Sequence, residues 1–218
     1  MPQAADAVRP LRADARRNRD RLLAAARDVV IEQGADAPLD EVARRAGVGI
    51  ATLYRRFPDR QILLRQLALD LLRRSAKEAG AALAEEPDAF GALGRYLHRA
   101  LDLRIAAAMP VLAGRLRRDG ELRAARAASV AAVDRLVGAA HAERSLRADV
   151  ASGDVGMLLV RLARPLPGAF SAALNRRLAH RHLDLLLDGL RAPGAGLPGP
   201  ALSLDDLAAL PTPNGRTP

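Results

Sequence analysis

The chain has 218 residues, half of them hydrophobic and 27% charged, with a formal net charge of +9. This length holds one large helical domain or two small ones around a proper core. The chain contains no cysteine, which excludes disulfides and thiolate chemistry and is compatible with a reducing compartment. Residues 1–20 lack the apolar core of a signal peptide and no apolar run reaches membrane length, so we expect a cytoplasmic protein without a membrane partner.

Arginine supplies all but one of the 34 basic side chains. Because arginine is abundant everywhere, basicity alone is weak evidence for a nucleic-acid partner. Its distribution is more informative, since residues 1–74 hold 15 basic and 10 acidic side chains. The first third of the chain therefore carries over half of the net positive charge, which fits a salt-sensitive surface for nucleic acid.

Helical spacing of apolar residues continues nearly throughout, whereas aromatic residues make up only 2% of the chain. No sustained alternating run appears, so we predict an all-α fold of about nine helices. The first helix is expected from about Asp14 to Gln33, with Gly34 in the position of a helix stop. Residues 1–13 before it are expected to form a disordered arm.

Two short helices with a tight turn between them are predicted next, within residues 38–63. The first has a single apolar face made of Leu39, Val42, Ala43 and Ala46. Gly47 follows at a point where a helix end favours a positive φ. In the second short helix, over residues 50–57, Leu53 and Phe57 lie four apart and are expected to pack inward.

The outward face of the second short helix carries residues that suit a DNA groove. Positions i, i+1, i+4 and i+5 share one side of a helix, here Ile50, Ala51, Tyr54 and Arg55. Pro58 ends this helix and Asp59 is placed to cap the next one. Arg60 stands in the first turn, where a cation opposes the helix dipole, so an anion contact suits it better than a stabilising role. Two helices joined by a glycine turn are the helix-turn-helix pattern, whose second helix enters the major groove.

The run AGVGIATLYRRFPDR, with an amphipathic helix over residues 18–34 before it, resembles the DNA-binding domain of TetR-family transcriptional regulators. The specific features are the small-Gly-Val turn, Thr-Leu-Tyr in the second helix, the aromatic-Pro stop and the basic residue that opens the next helix. The resemblance implies that residues 14–60 form this domain. It implies phosphate contacts from Thr52, Tyr54, Arg56 and Arg60. It implies base contacts from Gly49, Ile50, Ala51 and Arg55.

Three positions depart from the usual pattern of that family. Pro38 stands where Ser or Thr usually caps the first short helix, and Gly49 replaces the usual Ser before the recognition helix. Ile50 occupies a position that is often basic or polar, which favours contact with a thymine methyl group.

Tyr54 could instead cover a seam between helices, but a phenol beside two arginines on an outward face favours a phosphate.

Further helices are predicted over residues 59–79, 88–108, 110–118, 121–143, 154–162 and 169–191. The resemblance implies that residues 61–191 form an effector-binding and dimerisation domain. Residues 192–218 are rich in proline and glycine and are expected to form a loose tail. Within that tail, the run Ser203-Leu-Asp-Asp resembles a capping box and leaves open a short docked helix.

The last long helix has more apolar surface than one core face needs, which indicates packing on two sides. In TetR-like proteins the final two helices form a four-helix interface with a second subunit. Carried onto this chain, that interface comprises Leu158, Leu162, Leu174, Leu178, Leu185 and Leu186. The alternative is a buried terminal helix in a monomer, whereas a homodimer would place two recognition helices on palindromic DNA.

The resemblance further implies a small-molecule effector pocket enclosed by helices four to seven. Candidate lining residues are polar groups beside an apolar stripe of the fifth helix and a methionine at its end: Tyr96, His98, Asp102 and Met109. Aromatic residues are few beyond residue 74, which favours an aliphatic-walled pocket over an aromatic cage. Core or surface roles are the alternative for each of the four residues.

No catalytic constellation is recognisable in the chain. It lacks a Gly-x-Ser-x-Gly elbow, a Walker loop and a dinucleotide-binding glycine motif. His180 and His182 are two apart and lie on different helical faces, so no metal site and no cofactor are predicted. The expected function is a dimeric, ligand-responsive regulator, usually a repressor by resemblance. A non-specific architectural DNA binder, or a helical enzyme or carrier with a vestigial motif, are the alternatives.

Overall fold

A computed structural model describes residues 3–117, 119–166, 170–194 and 196–209. Within these ranges the chain forms ten α-helices and no strand, which confirms the all-α prediction. The helices are α1 Gln3–Gln33, α2 Leu39–Ala46, α3 Ile50–Arg56, α4 Arg60–Glu85, α5 Ala89–Asp102, α6 Ile105–Ala113, α7 Gly120–Ala142, α8 Ser152–Leu162, α9 Ala172–Leu190 and α10 Leu204–Ala209. None of the described helices is long and apolar enough to cross a membrane.

Several boundaries differ from those expected from the sequence, among them the end of α4 at Glu85 rather than near residue 79. α1 begins at Gln3, so the arm expected to be disordered over residues 1–13 is helical from Gln3 onward; its many alanines are strong helix formers. α5 ends at Asp102 rather than near residue 108, because Arg104 adopts a left-handed φ of 54°. α6 then begins early enough to contain Pro110, which had been expected to separate two helices.

The chain divides into two compact units. The first comprises Met1–Asp70 and Ala108–Leu122, and the second comprises Leu71–Ala107 and Arg123–Pro218. The first unit thus extends beyond the predicted domain at residues 14–60. It takes in the buried start of α4, where Leu63, Leu64 and Leu67 are each at most 2% exposed.

Ion pairs tie the Ala108–Leu122 segment to the rest of the first unit. Arg65 on α4 donates from Nε to Asp119 at 2.6 Å and from Nη2 to Glu121 at 2.6 Å. Arg115 pairs with Asp36 in the α1–α2 connection. The guanidinium of Arg65 lowers the pKa of Asp119 to about 2, so this carboxylate is ionised at any physiological pH.

The core of the second unit is formed by apolar side chains of α5, α7, α8 and α9 together with the end of α4. A short polar chain crosses this core. Ser129 Oγ donates to Ser75 Oγ at 2.9 Å, and Ser75 Oγ lies 2.9 Å from the Tyr96 hydroxyl. All three side chains are buried, and desolvation raises the pKa of Tyr96. Each hydroxyl has a partner, which is what burial of a polar group requires.

The tail contains a docked helix, as its capping sequence allowed. Ser203 Oγ accepts from the Asp206 N–H at 3.0 Å while Asp206 accepts from the Ser203 N–H at 2.8 Å, a reciprocal cap on α10. α10 packs on α8, where Leu204 lies over Gly156. A Cβ at Gly153 would lie 2.7 Å from the Ser203 carbonyl oxygen and closer still to that of Leu202. α8 therefore accepts the tail only because two glycines leave room for it.

We predict that Gly153→Ala detaches the tail from α8, since the added methyl group meets backbone atoms that cannot rotate away. The substitution should lower the free energy of unfolding by about 1–3 kcal/mol, measured by urea denaturation, and should speed proteolysis of the tail. Gly138→Ala on α7 is the matched control, because its Cβ meets nothing within 4 Å. There the same change should stabilise the protein by up to about 1 kcal/mol. Equal effects at both positions would contradict the docking.

Candidate DNA-binding site

The turn between α2 and α3 is built as the sequence predicted. Gly47 has φ 67° and ψ 36°, a left-handed conformation that glycine adopts without steric penalty. Its N–H and that of Val48 bond to carbonyls of the last turn of α2, Arg44 O and Ala43 O. The predicted apolar face of α2 is buried throughout. The turn is therefore a left-handed helix stop anchored on a buried face.

α3 is a seven-residue helix with one side fixed in the core. Leu53 and, just past the helix end, Phe57 are 0% and 2% exposed, as predicted. The opposite side is open to solvent, with Ile50 37% and Tyr54 47% exposed. The exposed residues on and before α3 are Gly49, Ile50, Ala51, Tyr54, Arg55 and Arg56. The structure thus exposes every residue predicted for base contact, and two of the four predicted for phosphate contact.

Thr52 and Arg60, the other two predicted phosphate contacts, have partners within the protein. Thr52 is half-buried, and its Oγ1 accepts a hydrogen bond of 3.1 Å from Arg55 Nη2. Arg60 Nη1 donates to the Ala35 carbonyl at 3.0 Å and also to the Ala37 carbonyl. Arg60 therefore holds the α1–α2 connection against the start of α4, a role that the sequence did not indicate. Its phosphate contact stays a prediction.

The start of α4 is capped as expected. Asp59 Oδ1 accepts from the Ile62 N–H at 2.7 Å, which satisfies one of the free donors of the first helical turn. α3 differs, because Gly49 at its N-cap offers no side-chain hydrogen bond.

Acidic partners divide the arginines of the helix-turn-helix into two groups. Glu41 on α2 binds Arg44 at 2.8 Å and Arg45 at 2.6 Å, and these hydrogen bonds hold the pKa of Glu41 at about 2. Within the described part of the chain, by contrast, no carboxylate pairs with Arg55 or Arg56. The uncompensated positive charge of the motif therefore lies on α3.

Of the four residues predicted to line an effector pocket, the three on α5 have different partners, and Met109 belongs to the other unit. Tyr96 is buried against Ser75, whereas His98 and Asp102 contact α9 through His180 and Asp184. Met109 lies in α6, half-buried. Two cavities of about 570 and 440 Å³ are lined by residues of α1 and α2 and by none of these four. The effector role of the four residues stays a prediction.

α9 is apolar on two sides, as its sequence indicated. Leu183, Leu187 and Leu190 are buried in the second unit, whereas Leu185 is 60% exposed. The other leucines predicted for a dimer interface are partly buried: Leu158, Leu162, Leu174, Leu178 and Leu186. Exposed apolar side chains near them include Met157, Leu166 and Phe170. The dimer itself stays a prediction.

Sequence reasoning missed the contact between His98 and His180. Only the spacing of His180 and His182 within one helix was considered, and that spacing says nothing about another helix. A signal was nevertheless present, since residues 98–102 read HRALD and residues 180–184 read HRHLD. Each segment places a histidine four residues before an aspartate, on one helical face.

Comparisons with known proteins agree with the geometry. Residues 22–67 match the family model described as bacterial regulatory proteins, tetR family. The chain is similar to the structure of the TetR transcriptional regulator SCO0520 from Streptomyces coelicolor, with 35% identity, coverage of 81% of this chain and 99% of that one, and a TM-score of 0.57. It is also similar to the structure of the TetR transcription regulatory protein from Mycobacterium vanbaalenii, with 33% identity, coverage of 84% of this chain and 100% of that one, and a TM-score of 0.58.

A more distant structure shares the fold alone. It is the TetR-like transcriptional regulator LfrR from Mycobacterium smegmatis in complex with proflavine, with 23% identity, coverage of 84% of this chain and 99% of that one, and a TM-score of 0.57. No curated protein matches the chain.

We predict that Arg60→Ala destabilises the protein because two carbonyl groups of the α1–α2 connection lose a charged donor. The expected loss in the free energy of unfolding is about 1.5–3 kcal/mol, measured by urea denaturation. Arg56→Ala removes the same side chain from an exposed position without a carboxylate partner and should change stability by less than about 0.5 kcal/mol. If Arg60→Ala left the free energy of unfolding unchanged, these hydrogen bonds would contribute nothing to stability in solution.

Proposed function

Because the chain belongs to the TetR family of bacterial regulatory proteins, we propose that it is a homodimeric repressor. In this proposal it binds a palindromic operator through α3 and leaves it when a small-molecule effector binds. The family makes the chain a DNA-binding transcriptional regulator. The observation that carries the finer proposal is the exposed face of α3, which combines side chains suited to base contact with arginines that have no acidic partner among the described residues.

The proposed roles at DNA follow from the chemistry of that face. Arg55 suits a bidentate contact with guanine, and the hydroxyl of Thr52 restrains its guanidinium before DNA arrives. Ile50 offers an apolar contact for a thymine methyl group. Tyr54 and Arg56 are exposed beside these residues and suit phosphates, which position a protein on the duplex without reading sequence.

The proposed dimer uses the outer faces of α8 and α9. Leu185 and Met157 are 60% and 39% exposed, and an apolar side chain of this size in water favours association when it belongs to a larger patch. The leucines predicted for this interface lie on the same two helices, partly buried. A two-fold dimer would present two α3 helices about 34–36 Å apart, the spacing of successive major grooves on one side of B-DNA.

The proposed effector site lies in the second unit. The LfrR structure contains proflavine within the same fold, which supports a small-molecule ligand as a class. In this chain the buried hydroxyls of Ser75, Tyr96 and Ser129 are the polar groups that a ligand could engage among apolar helices. A ligand that exchanges hydrogen bonds with these hydroxyls would bind more tightly to one arrangement of the helices than to another, as allosteric release requires.

The proposed route of release runs along the chain into the first unit. α6 and the start of α7 belong partly to the first unit, where Arg65 holds Asp119 and Glu121. A ligand-dependent shift of α6 or α7 would therefore pull on α4 close to the helix-turn-helix. Since Asp119 has a pKa of about 2, this ion pair persists at any pH at which the regulator works.

The test begins with selection of bound sequences from random DNA. We expect a palindromic site, and we expect the double variant Tyr54→Ala, Arg56→Ala to bind that site at least about tenfold more weakly, the equivalent of about 1.4 kcal/mol. The dependence of log affinity on log salt should lose about 1.8 from its slope, because the dimer loses one cationic phosphate contact in each half-site and each contact contributes about 0.9.

Arg135→Ala is the control, since it removes the same charge from an exposed position on α7. It should bind as the wild type does. Wild-type affinity in the double variant would contradict the assignment of α3, and a selected site without two-fold symmetry would contradict the dimer.

A further inference from the structure

Four side chains form a continuous hydrogen-bonded chain between α5 and α9. His180 Nε2 lies 3.1 Å from Asp102 Oδ1, and His98 Nε2 lies 2.9 Å from Asp184 Oδ1. Between the two rings, His98 Nδ1 and His180 Nδ1 are 2.7 Å apart. Each helix thus contributes one histidine and one aspartate, and each histidine reaches the aspartate of the other helix.

The two imidazole rings meet edge to edge. Their centroids are 5.1 Å apart and their planes differ by 6°, so with Nδ1 atoms 2.7 Å apart the rings are nearly coplanar and joined through nitrogen. This separation is that of a hydrogen bond. Two nitrogens on one tetrahedral zinc ion would lie about 3.3 Å apart, given bond lengths of about 2.0 Å. Within the described residues no group of three or more His, Cys, Asp or Glu side chains is placed so that it could hold a metal ion.

The geometry fixes the number of protons that the chain can hold. Ionised carboxylates only accept hydrogen bonds, so both Nε2 atoms must carry a proton. The bond between the rings needs one further proton, shared between two Nδ1 atoms. A chain in which all three hydrogen bonds form therefore needs three protons on the two imidazoles, one more than two neutral rings and one fewer than two imidazolium ions.

We propose that the chain Asp102–His180–His98–Asp184 is a pH-sensitive clasp that holds α9 on α5 most tightly when its two histidines share a single positive charge. A fourth proton places two N–H groups against each other 2.7 Å apart, together with two like charges. Loss of the third proton breaks one of the three hydrogen bonds. Histidine ordinarily changes its protonation between about pH 5 and 8, a range that cells and assays reach.

The side chains that surround the clasp do not remove this dependence on proton number. On α5, Arg99 lies 3.9 Å from Asp102 and is 58% exposed. On α9, Arg181 and His182 are exposed. α8 contacts both helices; its Asp154 is hydrogen-bonded to the Ala151 N–H and its Arg161 is exposed. Both rings remain about a third exposed or less, with 31% for His98 and 27% for His180, and so can exchange protons with water.

The sign of the pH dependence follows from counting protons in both states. At low pH the unfolded chain holds four protons on these histidines and the clasp holds three, so stability rises with pH. At high pH the unfolded chain holds two and the clasp three, so stability falls as pH rises. A difference of one proton changes the folding equilibrium constant by about tenfold per pH unit, which sets the steepest slope that the clasp can produce.

The experiment is urea unfolding of the full chain from pH 5 to 9 at one protein concentration, for the wild type, His98→Gln and His182→Gln. The ratio of the folding equilibrium constants of wild type and variant removes the contribution of titrating groups that do not interact with the replaced histidine. For His98→Gln this ratio should pass through a maximum near about pH 6.5 and fall on both sides. For His182→Gln, an exposed histidine on the same helix, it should stay constant.

A ratio for His98→Gln that is independent of pH would overturn the proposal. Imidazole ¹⁵N spectra of the wild type provide a second measurement that needs no variant. A hydrogen-bond coupling between the two Nδ1 atoms near neutral pH is expected, and Nδ1 atoms that are both without a proton at every pH would refute the clasp. Neither readout depends on DNA binding, so failure of the clasp and failure of the proposed repressor role are separately visible.

Discussion

Burial of Leu53 and Phe57 determines which side of α3 meets solvent. Leu53 lies on this seven-residue helix and Phe57 just past its end. Because they are 0% and 2% exposed, they leave the helix no freedom to rotate about its axis. Gly47 sets the direction in which the chain enters α3, because its left-handed backbone ends α2 abruptly. The side opposite the buried pair then necessarily presents Tyr54 and Arg55. Which polar side chains α3 exposes is thus decided by the packing of its apolar side.

The positive charge that is available to DNA depends on which arginines have partners within the protein, and not on the number of arginines. Glu41 pairs with both Arg44 and Arg45, Glu32 also pairs with Arg45, and backbone carbonyls accept hydrogen bonds from Arg60. Arg55 and Arg56 lack such acidic partners in the described part of the chain. Counterion release on DNA binding comes from cations that exchange water and salt for phosphate, and a paired arginine contributes less to it. Because the chain has 33 arginines, the number of cations alone does not identify those that bind DNA.

Local patterns in the sequence were sufficient to predict the helix-turn-helix, because its core residues lie within short stretches with clear apolar spacing. Leu53, Phe57 and Gly47 were assigned from neighbours alone. Contacts between distant segments were not accessible in that way: the clamp of Arg60 on Ala35, the ion pair of Arg65 with Asp119, and the histidine contact of α5 with α9 each join residues far apart in sequence. Periodicity says which face a residue occupies but not which helix lies opposite. The prediction placed the end of α5 too late for a related reason. Arg104 has a left-handed backbone, and arginine as a residue type does not indicate such a conformation.

The most direct test of the account is the base preference of an Arg55→Ala variant, determined by selection from random DNA alongside the wild type. If α3 reads bases through Arg55 in a two-fold dimer, the preference should relax at one position in each half-site, by about 1–3 kcal/mol per position, and persist elsewhere. A uniform loss of affinity at all positions, with the preferred sequence unchanged, would contradict the placement of Arg55 against a base.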